Sequence, residues 1–353
     1  MEEPGAVGAR RNFWSRGEEQ QESPPAAVDS VLLYYLYRAL PAPAETTQQQ
    51  LAWCTELGLK GRVRVAEEGL NGTLDGSRAA VDEYIARMDQ AFGPKGSIDW
   101  KIAAYPPDCR RRFKGISVKE VKEVISTDLP LQTREEIVAS GPGKHLTASE
   151  FHALLQLPDE EICLVDCRNF YETRVGRFVT ASGALPLDPM TRSFSDFRHF
   201  VEDETNLKQL EGKKVLMYCT GGVRCERASA YLRARLKAAA ASVDTDDTTQ
   251  VFQLFGGIQR YQEQFPDHST SLFLGKNFVY DPRIAVSSCP EGAAIIGRCL
   301  GCAAACDDYS FQVRCHLCRV LVLACGDCRG REQPFTCELC EKRRGQACEV
   351  VKT

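Results

Sequence analysis

The sequence predicts an α/β protein in three folded parts, and three observations predict it. Apolar stretches alternate with amphipathic helical patterns along most of the 353 residues. Their order changes along the chain: strand, helix, strand, strand, helix, strand at first, then a regular exchange of one helix for one strand. The C-terminal segment drops this pattern and carries four Cys-x-x-Cys pairs instead.

Composition restricts the classes these parts can belong to. Hydrophobic residues make up 43% and charged residues 26%, the balance of a soluble globular protein rather than a disordered or fibrous one. The longest apolar run near the start, "VLLYYLY", is far short of the roughly 20 residues that span a bilayer. The first letters, "MEEPGAVGARRNFW", are acidic where a signal or transit peptide would not be. The expectation is a soluble, cytoplasmic protein without a membrane partner. A net charge of −4 argues against a generally basic nucleic-acid binder and leaves room for a local cationic patch. Of 17 cysteines, ten lie between Cys289 and Cys340, which in such a compartment favours metal ligation over a disulfide framework.

Residues 1–28, ending in "QQESPPAAVDS", are polar and proline-bearing and are expected to form a disordered leader. Residues 29–126 read as a small mixed domain. "VLLYYLY" is a strand, "AETTQQQLAWCTELGL" an amphipathic helix, and "GRVRVAEEG" an alternating strand expected to turn at "NG". "SRAAVDEYIARMDQAF" follows as a helix, "SIDWKIAAY" as a strand and "GISVKEVKEVI" as a further extended stretch. This order is the split βαβ of ferredoxin-like folds, which is a scaffold and not a function. Within "CRRRFKGISVKEVK", Arg110, Arg111, Arg112, Lys114, Lys119 and Lys122 either neutralise phosphates or protect an exposed strand edge.

Residues 127–146, around "STDLPLQTREEIVASGPGKH", read as a linker punctuated by Gly141, Pro142 and Gly143. Residues 147–274 then alternate: helix "TASEFHALLQL", strand "EICLVDCR", helix "FSDFRHFVEDETNLKQL", strand "KKVLMYC", helix "CERASAYLRARLKAAA", strand "QVFQLFGG", helix "IQRYQEQF". Continuous apolar strands separated by helices predict a buried parallel sheet.

In such a sheet, ligands gather beyond the carboxyl ends of the strands, and Cys219 ends one. Gly221 and Gly222 let the backbone after it curl so that amide N–H groups point inward, and the helix that follows adds its positive end. With Arg224 nearby, these donors favour a thiolate and hold an anion attached to it. The competing account is a buried cysteine acting as a small hydrophobe.

"CTGGVR" resembles the active-site loop of rhodanese domains, and "LVDCRNFYETRVGRFVTASGALPL" resembles their upstream signature, with Asp166, Arg168, Glu172 and Gly176 at its characteristic positions. The loop Cys219, Thr220, Gly221, Gly222, Val223, Arg224 has the sulfurtransferase length; related dual-specificity phosphatases use one residue more, so a phosphatase is disfavoured. "EEGLNGTL", "FQLFGGI", the shared Cys225 and the cysteine-rich tail extend the similarity to the bacterial rhodanese-like tRNA uridine 5-hydroxylases and their animal relatives, over about Val31 to Cys340. The resemblance implies a rhodanese-type parallel domain at 147–274. It also implies an oxygen-dependent conversion of a tRNA wobble uridine to 5-hydroxyuridine, requiring Cys219. Asp166, Arg168 and Glu172 are then supporting residues. Cys225 either resolves an oxidised Cys219 or packs the helix start. Cys167 stands where many relatives carry valine. If tRNA is the substrate, Arg110, Arg111, Arg112, Lys114 and Arg227 are candidates for phosphate contacts.

Residues 275–353 read as a small zinc-binding domain. Cys299/Cys302, Cys315/Cys318, Cys325/Cys328 and Cys337/Cys340 supply ligands for two four-thiolate structural sites. "RVLVLA", read as a strand, separates Cys318 from Cys325 by about 20 Å, so neighbouring pairs across it do not share a metal. The expected grouping is first pair with second and third with fourth; an interleaved grouping meets the same test, with Cys306 and His316 as substitute ligands.

Three functions fit: a tRNA uridine hydroxylase acting through Cys219, a sulfurtransferase carrying a Cys219 persulfide from a small donor such as thiosulfate, and a non-catalytic binding module. The intact loop weighs against the third. The resemblance along the chain favours the first, and the redox cofactor it would use is not legible.

Overall fold

The computed structural model describes residues 29–93, 98–104, 113–243, 249–279, 284–286, 294–330 and 334–350. Arg110, Arg111 and Arg112, and the leader read at 1–28, lie outside them.

The N-terminal domain runs β1 (Asp29–Tyr37), α1 (Pro43–Glu56), β2 (Lys60–Ala66), β3 (Gly69–Ser77), α2 (Arg78–Phe92), β4 (Lys101–Ala104) and β5 (Ile116–Glu120). Its sheet has the order β4-β1-β3-β2-β5, antiparallel except where β5 joins β2 in parallel, so the split βαβ read in the sequence is present with one added edge strand. Strand alternation places Leu32, Tyr34, Val63, Val65, Leu70 and Leu74 on one face, packed with Cys54, Val81, Tyr84 and Met88 of the two helices. The other face looks toward the second domain. The β2–β3 turn falls at Glu67 and Glu68, not at Asn71-Gly72. Gly72 lies inside β3 because the Tyr34 ring lies against its backbone, where a Cβ would come within 2.2 Å of Tyr34 Cε1.

The second domain comprises α3 (Leu131–Ser140), β6 (Lys144–Leu146), α4 (Ala148–Leu154), β7 (Ile162–Asp166), α5 (Phe170–Thr173), β8 (Gly176–Phe178), α6 (Phe197–Glu202), α7 (Glu204–Leu210), β9 (Lys214–Tyr218), α8 (Val223–Val243), β10 (Gln250–Leu254) and α9 (Gly257–Gln264). Its sheet, β6-β10-β9-β7, is parallel throughout. The stretch read as a linker thus holds a helix and a strand that completes this sheet. The single helix read over "FSDFRHFVEDETNLKQL" is divided at Asp203, whose extended backbone (ψ 112°) ends α6 and whose carboxylate accepts the Thr205 N–H to start α7.

The C-terminal part begins with β11 (Phe273–Gly275), which pairs with β8, and the hairpin of β12 (Asn277–Val279) and β13 (Ile284–Val286). It ends with α10 (Gly326–Arg329) and α11 (Glu338–Val350). "RVLVLA" is an extended segment with one bridge, Arg314 to Leu321, rather than a ladder strand. The small cores here recruit Phe170, Tyr171 and Val175 from the second domain, and Arg174 binds Glu338 at 2.7 Å. Among the described residues, no helix is long and apolar enough to cross a membrane.

Candidate active site

β9 is buried along Val215–Tyr218, and its apolar side chains fix the point where the chain leaves the sheet. Cys219 is the next residue and is fully buried. Gly222 then takes φ +97°, a conformation glycine adopts without strain, which aims its N–H at Cys219 Sγ (3.1 Å). A second element holds the loop from behind. At the start of α9, Ile258 N–H donates to Cys219 O (3.0 Å) and Gln259 N–H to Thr220 O (3.2 Å). This approach requires Gly257, since a Cβ there would stand 2.6 Å from both carbonyl oxygens. Thr220 Oγ1 donates to Phe278 O (3.2 Å), which ties the loop to the C-terminal part.

Burial alone would push the Cys219 thiol up. The Cys225 thiol, the Arg224 charge and the backbone N–H groups of Cys225 and Arg224 outweigh it and hold Cys219 down at about 5. Its neighbours go the other way: burial pushes Cys225 and Cys167 up, and contacts with Cys167 and Cys219 raise Cys225 further. The surroundings of the sulfur therefore favour the thiolate over the thiol, in a water-poor setting with donors placed on it.

The supporting residues expected from the sequence gather around this loop. Arg224 makes a two-pronged contact with Glu172, one arm at 3.0 Å, and also donates to Thr220 Oγ1 at 3.1 Å. Glu172 is fully buried and additionally accepts Asn169 N–H (2.9 Å), so the start of α5 positions the carboxylate that orients Arg224. Asp166 and Arg168 form a second buried pair at 2.7 Å, and Arg168 donates to Gly176 O (2.6 Å) with its guanidinium over the Tyr218 ring. That pair braces the end of β7; it does not reach the sulfur.

The N-terminal domain closes the front of the loop, which the sequence did not indicate. A Cβ on Gly221 would meet Leu33 Cδ2 at 2.9 Å, and one on Gly222 would meet Tyr35 Oη at 2.9 Å. Tyr35 donates to Glu226 (3.2 Å), the carboxylate that also binds His145 at 2.7 Å. Lys101 is fully buried against Asp99 (2.6 Å), with its ammonium 5.4 Å from the Tyr35 ring centre. Burial lowers the Lys101 pKa while Asp99 opposes the shift. The only sequence signal was period-2 alternation in "VLLYYLY", which turns Leu33 and Tyr35 away from the core that takes Leu32 and Tyr34. Of the basic candidates, Lys114 is exposed. Arg227 is instead held between domains, paired with Glu68 and lying over the Tyr37 ring at 4.6 Å. The docking surface of the N-terminal domain claims this residue from what reads in sequence as an open helix face.

A cavity of about 440 Å³ opens between the outer sheet face of the N-terminal domain and the loop, with Gly221, Val223 and Arg224 on its floor.

The cysteine pairs assemble into two sets, Cys299, Cys302, Cys325, Cys328 and Cys315, Cys318, Cys337, Cys340, the sulfurs of each within 4.8 Å of one another. First joins third and second joins fourth, which corrects the favoured sequential grouping. The extended segment after Cys318 carries the chain from the second site back to the first. Neither Cys306 nor His316 belongs to a set. Sulfur separations of 3.6 Å (Cys302 to Cys325) and 3.5 Å (Cys318 to Cys337) fit the edge of a tetrahedron, about 3.8 Å for a metal–sulfur bond of about 2.3 Å. Cys325 N–H and Cys337 N–H donate to Cys299 Sγ (3.2 Å) and Cys315 Sγ (3.3 Å), as outer-shell donors do at thiolate sites. Both sets could hold a metal ion.

A parallel sheet that delivers a buried cysteine into an amide-lined loop, with Asp–Arg and Glu–Arg pairs bracing it, defines a rhodanese-type domain, here flanked by a split βαβ domain and a cysteine module. The family models and sequence relatives agree. Residues 30–124 match the family described as UPF0176 acylphosphatase like domain and residues 274–341 the one described as Rhodanase C-terminal. Rhodanese-like domain-containing protein 6 of Arabidopsis thaliana is 42% identical over 88% of this chain, which spans 52% of that protein's length. The tRNA uridine(34) hydroxylase of Corynebacterium jeikeium is 31% identical over 87% of this chain and 92% of its own; that of Roseobacter denitrificans is 31% identical over 88% and 97%. An As-Sb reductase structure from Leishmania major is 17% identical with a TM-score of 0.29, covering 41% of this chain and 92% of that one. The chain belongs to the tRNA uridine(34) hydroxylase family.

Proposed function

We propose that this chain hydroxylates the wobble uridine of tRNA at C5, with Cys219 as the nucleophile. The observation that carries the reading is the thiolate held at about 5 beneath the Gly221–Arg224 loop, in a chain whose relatives bear that name along nearly their full length. Addition of the Cys219 sulfur to C6 of uracil moves the ring's electron pair to C5 as an enolate, the form that attacks an electrophilic oxygen. Once the C5–O bond has formed, loss of the C5 proton expels the thiolate and restores the ring. The net change replaces C5–H by C5–OH. It is a two-electron oxidation, for which dioxygen together with a two-electron donor is the co-reactant class. Glu172 keeps Arg224 oriented over the loop, and the buried Asp166–Arg168 pair holds β7 in register behind it.

The two cysteine sets are assigned as structural zinc sites. Four thiolates close the coordination sphere of each, leaving no position for a reacting water.

The test is mass spectrometry of tRNA nucleosides from cells lacking the protein. The expected result is loss of 5-hydroxyuridine and its derivatives, and unchanged levels would remove the proposal. The same amide donors on Sγ would stabilise a persulfide anion, which favours a sulfurtransferase as the second reading. Cys219-dependent transfer from thiosulfate to cyanide, with tRNA nucleosides unchanged, would put that reading first.

A further inference from the structure

The outer face of the N-terminal sheet carries two cross-strand rows directed at the loop. Leu33, Thr73, Arg62 and Ser117 form one row and Tyr35, Asn71, Arg64 and Lys119 the next. Leu33, Tyr35, Arg62, Arg64, Asn71 and Thr73 of these rows make one wall of the 440 Å³ cavity, a volume in the range of about 300–1,000 Å³ typical of small-ligand sites. The chain carries 48 acidic against 44 basic side chains, yet among the described residues no carboxylate lines this cavity, while Arg62, Arg64, Arg192 and Arg224 do. Arg224 is neutralised by Glu172 and Arg192 reaches toward Cys340, whereas Arg62, which has a partner of its own, and Arg64 are exposed strand residues lining the open space. Arg64 is exposed and has no hydrogen-bond or ion partner among the described residues. Aromatic rings, Tyr35 and Phe113 from one domain and Tyr171 and Phe194 from the other, enclose the rest.

We infer that this cavity seats one nucleotide swung out of an RNA loop, its base between the aromatic walls above Gly221 and its flanking phosphates on Arg62 and Arg64. A flat neutral ring with an anion at each side matches aromatic walls and a pair of guanidinium groups. Arg62 and Arg64 stand two residues apart on one strand, about 7 Å, commensurate with successive phosphates of an extended strand. Asn71, between Tyr35 and Arg64 in its row, offers the donor and acceptor pair that reads a pyrimidine edge. The N-terminal domain is then half of the substrate site and not a separate tether. This inference rests on the tRNA reading above and specifies where that substrate binds.

The test uses the full chain carrying Cys219→Ser, so that binding is read without turnover. A synthetic anticodon stem-loop RNA with 5-iodouridine at the wobble position is titrated against this protein and against versions also bearing Arg62→Ala or Arg64→Ala. Both arginines are exposed strand residues, and circular dichroism checks that the variants fold. The expected result is affinity lowered about tenfold by each change, a salt dependence shallower by about 0.7 per lost phosphate contact, and photocrosslinks on peptides containing Tyr35 or Tyr171. Affinity and crosslinks unchanged in folded variants would overturn the inference while leaving the hydroxylase reading intact. Arginine-dependent binding by a wild-type chain that never alters uridine would do the reverse.

Discussion

Replacing Cys219 by serine is expected to abolish tRNA hydroxylation, by about a thousand-fold or more, while moving the thermal midpoint by no more than a few degrees. The two effects separate because the loop is not built by the sulfur. Gly222 at φ +97°, the Ile258 and Gln259 N–H groups on the loop carbonyls, and the Glu172–Arg224 pair fix its course without it. A serine oxygen can accept the Gly222 N–H as the sulfur does, but its proton does not leave near neutrality, so the cradle has nothing ionised to hold. Nucleoside analysis after incubation with unmodified tRNA, alongside a melting curve, reads both halves. Serine protein that still forms 5-hydroxyuridine at more than a hundredth of the wild-type rate would place the chemistry elsewhere.

Removing metal from the cysteine module is expected to unfold it and to silence the site with it. Structural zinc in small modules contributes about 10–16 kcal/mol of folding free energy, and the apolar surface here is too small to substitute. Around the second set the buried apolar residues besides cysteine are Phe170, Val320 and Val322, with Tyr171, Met190, Leu300, Val313, Phe335 and Leu339 only partly buried against them. Those contacts continue into the active site: Phe170 opens the helix that carries Glu172, Arg174 binds Glu338, and Tyr309 Oη donates to Tyr171 O at 2.8 Å. Elemental analysis should find two zinc ions per wild-type chain and about one after Cys315→Ala, with Arg224 loosened and activity lost in that variant. A fully folded, active chain containing no zinc would contradict this.

Much of this arrangement was legible in the letters because it is local. The strand, loop and helix around Cys219 follow from an apolar run, two glycines and an arginine, and the eight metal-directed cysteines follow from their spacing. What was not legible depends on surfaces brought together from far apart. Arg227 reads as a solvated helix residue until Glu68, 159 residues earlier, and the still more distant Tyr37 dock on it. Tyr35 and Lys101 read as ordinary strand residues until the sheet face closes on Gly221 and Gly222. The interleaving of the cysteine pairs escaped for a different reason: both groupings put the same distance between Cys318 and Cys325, so spacing could not choose. Asn71-Gly72 looked like a hairpin turn, yet its glycine answers to the Tyr34 ring packed on it.

The ionisation of Cys219 tests the whole account most directly. Ultraviolet absorbance of the thiolate, taken as the difference between wild type and Cys219→Ser, reads it without requiring a reagent to reach a buried sulfur. Because the folded-state pKa is depressed, the thiolate should persist from alkaline pH down through neutrality and disappear as pH falls through about 5. A midpoint at or above about 8.5, the value of an ordinary thiol, would mean that the amides and Arg224 do not hold an anion there, and the proposed nucleophile would be lost.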